Sequence, residues 1–274
     1  MIKRKSLALL AAVALAIASA HAGSAQQETP PAQEDLRKQI GTIIVTPGSG
    51  PQLALADFVA RSSGLETAVD IFNQVLLADL EFAAVSNIVG KSLIPKTPLA
   101  DPASLQFDEW TADPVRADYV AFGNLQGTPS SLAADTYLFD VKTKQQLIAS
   151  RHTGEPRRMA HEFADEIVKL LTGRDGIATS RIAYVAGGTI KMMDYDGFNQ
   201  RQFASDGPML LFPQFSPDGR YVAYVSYKTG VPNIVVRSSE GALVGGTRFN
   251  STTSSPSISP GGQLAFSSAI SGDG

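Results

Sequence analysis

The stretch FSPDGRYVAYVS, Phe215 to Ser226, returns in weaker letters as ISPGGQLAFSS, Ile258 to Ser268. RIAYV at Arg181 to Val185 matches RYVAYV at Arg220 to Val225, and then QLAF at Gln263 to Phe266. The period is about 40–43 residues, the size of a four-stranded propeller blade. A lone blade has two bare faces and two unpaired edges. Only a ring of blades covers both faces.

The one complete unit can be divided by its letters. Pro213 to Ser216 reads as the inner strand and Pro217-Asp218-Gly219 as the turn. Tyr221 to Ser226 reads as the second strand, Asn233 to Ser238 as the third and Gly246 to Phe249 as the fourth. The first unit opens at its second strand, because no S-P-D-G phrase precedes RIAYV. Six blades counted from Arg181 would end on the order of residue 430. The ring is therefore expected to continue beyond Gly274, with an inner strand supplied from its far C-terminus.

Before Gly176 the texture differs. Leu65, Val69, Phe72, Leu76 and Leu80 recur at helical spacing and predict a helix over Glu66–Leu80. Ala160, Phe163, Ala164, Ile167 and Leu171 predict a second over Arg157–Leu171, ended by Gly173 as a left-handed cap. Ile40 to Thr46, Leu53 to Phe58, Ala83 to Val85, Tyr119 to Leu125, Ala134 to Val141 and Gln146 to Arg151 read as extended. A short hairpin at Lys142-Thr143-Lys144 joins the last two, and small helical fragments fill the proline-rich Ser92–Pro114. The expected fold class is an α/β N-terminal domain, two helices on a small mixed sheet, followed by an incomplete β-propeller. The expected domains are 40–176 and 177–274.

The N-terminus is a targeting segment. Lys3, Arg4 and Lys5 precede an apolar run from Ser6 to Ser19, and Ala20-His21-Ala22 offers an A-x-A cleavage site, with Ala25 as a second. The run is too short to span a bilayer comfortably. Residues 1–22 are thus read as a cleaved secretory signal and Gly23–Gln39, with Pro30 and Pro31, as a polar leader. Cysteine is absent, which removes disulfides, thiolate chemistry and a lipidated N-terminal Cys together. Lys and Arg number 23 against 26 Asp and Glu. That balance argues against a nucleic-acid partner, which needs clustered excess cation.

Chemical motifs are weak. His161-Glu162-Phe163-Ala164-Asp165 has Asp where a zincin needs its second His, so it reads as a helix-surface pair of His161 and Asp165. Asp194-Tyr195-Asp196-Gly197 lacks the further donors of a calcium loop and reads as a hairpin turn. No G-x-S-x-G elbow is present. No catalytic residue, metal ligand or cofactor site is assigned. Met209-Leu210-Leu211-Phe212 leads into an inner strand, where it would form either interblade packing or a sticky rim at one mouth of the channel. Thr252-Thr253-Ser254-Ser255 is its equivalent one blade later.

Several longer phrases carry a resemblance. LLTGRDGIATSRIAYV at Leu170 to Val185, MDYDGFNQ at Met193 to Gln200 and FPQFSPDGRYVAYVS form an ordered series. RRMAHEFADEI at Arg157 to Ile167 and DIFNQVLLADLEFA at Asp70 to Ala83 precede it. Together they resemble the TolB family, periplasmic proteins of the Tol-Pal system, from about Ile40 onward. The resemblance implies an α/β domain, a six-bladed propeller and no enzymatic activity. It implies binding of the peptidoglycan-associated lipoprotein Pal at one mouth of the propeller, with Met209 to Phe212 and Thr252 to Ser255 on that rim. It also implies recruitment of the inner-membrane protein TolA by an N-terminal strand, here Ile40, Thr42, Ile43, Ile44 and Val45. A monomer attached to the outer membrane only through partners is expected, serving envelope integrity at division. Two other readings stay open at the level of residues. One is a propeller gating a peptidase domain beyond Gly274, and the other a propeller holding a small ligand in its channel.

Overall fold

The computed structural model describes residues 50–269. The signal segment, the leader and the expected strand at Ile40–Thr46 lie outside them. The chain begins with β1 (Gln52–Leu55), β2 (Val59–Ala60), α1 (Glu66–Ala83) and β3 (Asn87–Ile88). A 3-10 turn at Pro102–Ser104 and α2 (Phe107–Thr111) lead to β4 (Tyr119–Thr128), β5 (Ser131–Asp140), β6 (Gln145–Thr153) and α3 (Pro156–Thr172). The sheet order is β3-β1-β4-β5-β6, with β2 also on β4. β1 lies parallel to β3 and β4, whereas β4, β5 and β6 are antiparallel, so the sheet is mixed.

The helical spacing works as expected. Val69, Phe72, Leu76 and Leu80 of α1 face Ala160, Phe163, Ala164 and Ile167 of α3 over one side of the sheet. Phe58 joins them, its ring 4.5 Å from Phe72 and 5.9 Å from Phe163. Gly173 ends α3 at φ 72°, with its N–H on the Lys169 carbonyl. The expected extended Ala83–Val85 is instead the end of α1, whose cap is Ala84 at φ 51°. Its N–H bonds Leu80 O, and the strand starts only at Asn87. Leu53–Phe58 also divides, since β1 stops at Leu55 before β2 resumes along β4. The proline-rich segment has a larger role than a connection. Leu99, Leu105, Trp110 and Val115 bury the sheet's other face with Val120, Phe122 and Phe139.

The second part is antiparallel throughout. β7 (Arg181–Ala186), β8 (Thr189–Asp194) and β9 (Arg201–Ala204) form a three-stranded sheet. β10 (Leu210–Phe215), β11 (Tyr221–Ser226), β12 (Asn233–Ser238) and β13 (Leu243–Gly246) form a complete four-stranded blade. β14 (Thr253–Ile258) and β15 (Leu264–Ser268) begin the next. The S-P-D-G phrase makes its own turn. Gly219 N–H bonds Ser216 O, Ser216 Oγ bonds Asp218 at 2.6 Å, and Tyr221 N–H bonds Ser216 Oγ at 2.9 Å. Gly219 supplies the φ of 68° that L residues avoid. In the weaker copy Gly262 takes the same role at φ 78° and Ser259 Oγ accepts from Gln263 N–H.

The fourth strand lies three residues earlier than the letters suggest, at Leu243–Gly246. The cause is close backbone approach, for a Cβ on Gly246 would meet Ile234 O at 2.1 Å. Buried Ile190, Met192, Leu210, Val222 and Tyr224 fill the gap between the first two sheets.

Candidate functional site

The tetrads Met209–Phe212 and Thr252–Ser255 occupy equivalent places in successive blades. They are the openings of the inner strands, β10 and β14, more than loops. Each inner strand is tied to the blade before it: Leu210 N–H bonds Gly188 O at 2.8 Å and Thr253 N–H bonds Pro232 O at 3.0 Å. On the other side Tyr227 N–H bonds Met209 O and Ala269 N–H bonds Thr252 O. Pairing then slips in both strands, between Leu211 and Gln214 and between Ser254 and Ser257. A β-bulge of this kind re-aims a side chain. Phe212 and Ser255 stand in these bulges, both at φ 54°.

The tetrads are therefore split between interior and surface. Leu210 and Thr253 are fully buried, and Thr253 Oγ1 bonds Pro232 O at 3.0 Å. Leu211 packs against the core shared by the second and third sheets. Met209 is 40% and Phe212 57% exposed, and Thr252 and Ser255 are exposed at the matching places. So interblade packing claims Leu210, Leu211 and Thr253, while the bulge presents Phe212 and Ser255. Ile40, Thr42, Ile43, Ile44 and Val45 lie outside the described residues.

A second constellation joins the α/β layer to the first blade sheet, within one contact unit from Gly48 onward. The hairpin between β8 and β9 is the D-Y-D-G phrase, with Gly197 at φ 84° as expected of a turn. Its side chains reach further than a turn requires. Tyr195 Oη donates to Asp79 Oδ1 on α1, and Asp196 pairs with Arg157 on α3. The Arg157 guanidinium also lies 4.0 Å over the Phe198 ring. Burial first, then the Asp79 carboxylate, push the Tyr195 phenol far above its usual range, so it remains a neutral donor.

The expected surface pair of His161 and Asp165 does not form. His161 is 5% exposed, and its Nδ1 lies 2.7 Å from Asp79 Oδ2. Asp165 turns to the connecting segment, accepting from Ala178 N–H at 2.8 Å, Thr179 N–H at 2.9 Å and Thr179 Oγ1 at 2.7 Å. Gly176 passes so close that an added Cβ would sit 2.0 Å from Asp165 Oδ1. Helical spacing placed His161 and Asp165 on one face but could not tell a solvent face from a face covered by another sheet. An acidic residue at Asp79, inside the apolar run of α1, was the signal available. Among the described residues no group of three or more His, Cys, Asp or Glu is arranged to hold a metal.

The TolB beta propeller domain family matches residues 168–274. The chain is 31% identical over 247 residues to the Tol-Pal system protein TolB of Anaeromyxobacter dehalogenans, covering 85% of this chain and 52% of that one. It is 29% identical over 216 residues to its counterpart from Methylobacillus flagellatus, covering 76% and 48%. Among solved structures, TolB from Acinetobacter baumannii superposes with a TM-score of 0.63 at 25% identity, covering 82% of this chain and 57% of that one. The chain spans about half the length of the curated relatives it matches.

Proposed function

Because this chain is a TolB homologue, related over most of its described length and carrying the TolB propeller domain, we propose that it is a non-enzymatic periplasmic adaptor of the Tol-Pal system. It binds Pal through the propeller rim and TolA through its expected N-terminal strand, at Ile40, Thr42, Ile43, Ile44 and Val45, and in this way supports outer-membrane integrity during division. The observation that carries this reading is the reach of the similarity, which runs through both the α/β layer and the blades. An isolated propeller motif would not have that reach.

The rim geometry supports the first half. A strained backbone at an exposed aromatic is maintained only where its surroundings enforce it, and here the interblade Leu210–Gly188 bond, the Tyr227–Met209 bond within the blade and a bulge do so. Phe212 is then an exposed apolar anchor on the same strand opening as exposed Met209, and aromatic anchors are the side chains that dominate binding energy at protein interfaces. For the second half, a strand that can leave the body and join a partner's sheet edge gives main-chain affinity.

Calorimetric titration with the soluble domain of Pal tests the rim. Phe212→Ala should weaken binding about tenfold or more, while Gln145→Ala at the far edge of the α/β sheet should leave it unchanged. Equal affinities for the two variants would remove the rim assignment. Deleting residues 23–48 should abolish TolA capture and spare Pal binding, and undiminished TolA capture would refute the strand assignment.

A further inference from the structure

His161 lies between carboxylates from two parts of the molecule. Its Nδ1 faces Asp79 of α1 at 2.7 Å. Its Nε2 is buried, without a hydrogen-bond partner among the described residues, and lies 3.8 Å from Asp196 Oδ2 on the blade hairpin. A carboxylate only accepts, so Asp79 draws the proton of a neutral ring to Nδ1. The bare Nε2 lone pair would then face the second carboxylate, acceptor against acceptor. A charged ring instead turns an N–H toward Asp196.

The local charge points the same way. Asp79, Asp196 and Arg157 together leave one negative charge uncompensated, which an imidazolium cancels. Asp79, the buried member of the group, needs such a partner. The other groups around the ring do not supply one. Tyr195 stands edge-on at 5.6 Å between centroids, as a neutral phenol. Asp165, one turn along α3, spends its oxygens on Ala178 and Thr179. Glu155, Asp194 and Glu240 share the adjoining polar cleft with Arg158 and Arg181. Arg158 is paired with Glu162, and Arg181 donates to Gly219 O.

We propose that His161 is a proton-controlled pin of the seam. As imidazolium it ties Asp79 on α1 to Asp196 on the first blade sheet, and when it loses its proton that tie is lost and the hairpin is held to the α/β layer by Arg157 and Tyr195 alone. A contact that needs the charged ring is present only while both ring nitrogens carry a proton. The orientation of the blades against the α/β layer then follows the pH of the compartment. No partner's identity enters this inference, so it stands or falls separately from the adaptor reading.

The chain has no cysteine, so spin labels can be placed cleanly at Asp70→Cys on α1 and Lys228→Cys in the complete blade. Electron–electron distance measurements would be run between about pH 5 and 8, with the imidazole charge read in parallel by 15N NMR. The expected result is a single narrow distance while His161 is charged, broadening as it becomes neutral. Asp196→Asn should lose that pH response while keeping its circular dichroism spectrum, and His161→Gln should be broad throughout. A distribution that does not change with pH, whatever the ring's charge, overturns the proposal. So does an equal pH response in Asp196→Asn.

Discussion

Phe212 holds a backbone conformation that bulky residues rarely adopt, φ 54°. For an L residue the left-handed region costs about 1–2 kcal/mol, and glycine escapes that cost. Phe212→Gly should therefore raise stability by about 1 kcal/mol in urea unfolding while weakening Pal binding. Loss of stability instead would mean that the ring contributes packing its 57% exposure does not suggest. Gly176 is the opposite case. Its added methyl group would meet Asp165 at both Oδ1 and Cα, the latter 2.8 Å away. Backbone cannot yield as a flexible side chain can, so Gly176→Ala should destabilise by about 1–3 kcal/mol, with Asp165→Ala comparable through its lost hydrogen bonds. An unchanged urea midpoint in both would show that the connecting segment is not held by α3. Residues of this kind were poorly legible in the sequence. His161, Asp165 and Tyr195 were visible as letters, but their partners Asp79, Ala178 and Thr179 come from other elements.

Elements were legible where one periodicity governed them. β11 and β12 fall where alternation placed them, because successive residues go to opposite cores: Val222 and Tyr224 to the one shared with the first sheet, Ala223, Val225 and Ile234 to the one shared with the third. α1 and α3 were clear for the same reason at helical spacing. β13 was misplaced because Leu243 and Val244 are exposed and carry no burial pattern, while a glycine's fit against Ile234 sets the pairing. The bulges in β10 and β14 left no mark that composition could show. Within the complete blade, Tyr224 is fully buried and donates to Asp206 at 2.8 Å, while Arg237 Nε donates to Tyr224 Oη at 2.8 Å. Burial pushes the Asp206 carboxyl up, but the Tyr224 hydrogen bond and the Arg237 charge outweigh it and hold it below the usual range. Its contribution is thus present at neutral pH and is lost as the pH falls through that lowered value. Asp206→Asn should flatten the acid limb of a stability–pH curve below about pH 4. An identical limb would show that the blade does not depend on that carboxylate.

At the scale of the molecule, Asp79 and Arg157 on the helices and Tyr195 and Asp196 on the blade hairpin make the two parts share partly buried polar contacts. A seam of this kind couples their unfolding. Calorimetry should show one transition for the unaltered chain and two for Tyr195→Phe combined with Asp196→Ala. A single transition in both would mean that the seam does not transmit stability. The repeat made the propeller legible, and the α/β layer followed from its two helices. Their joining was hidden, since no local pattern records which face of a helix another sheet will cover. The central claim is that the blade rim receives a protein partner. Hydrogen exchange with and without the soluble domain of Pal tests it most directly. The account predicts slowed exchange in peptides spanning residues 207–214 and 250–257, with the β5–β6 edge unchanged. Protection confined to the α/β sheet, or none at saturating Pal, would contradict it.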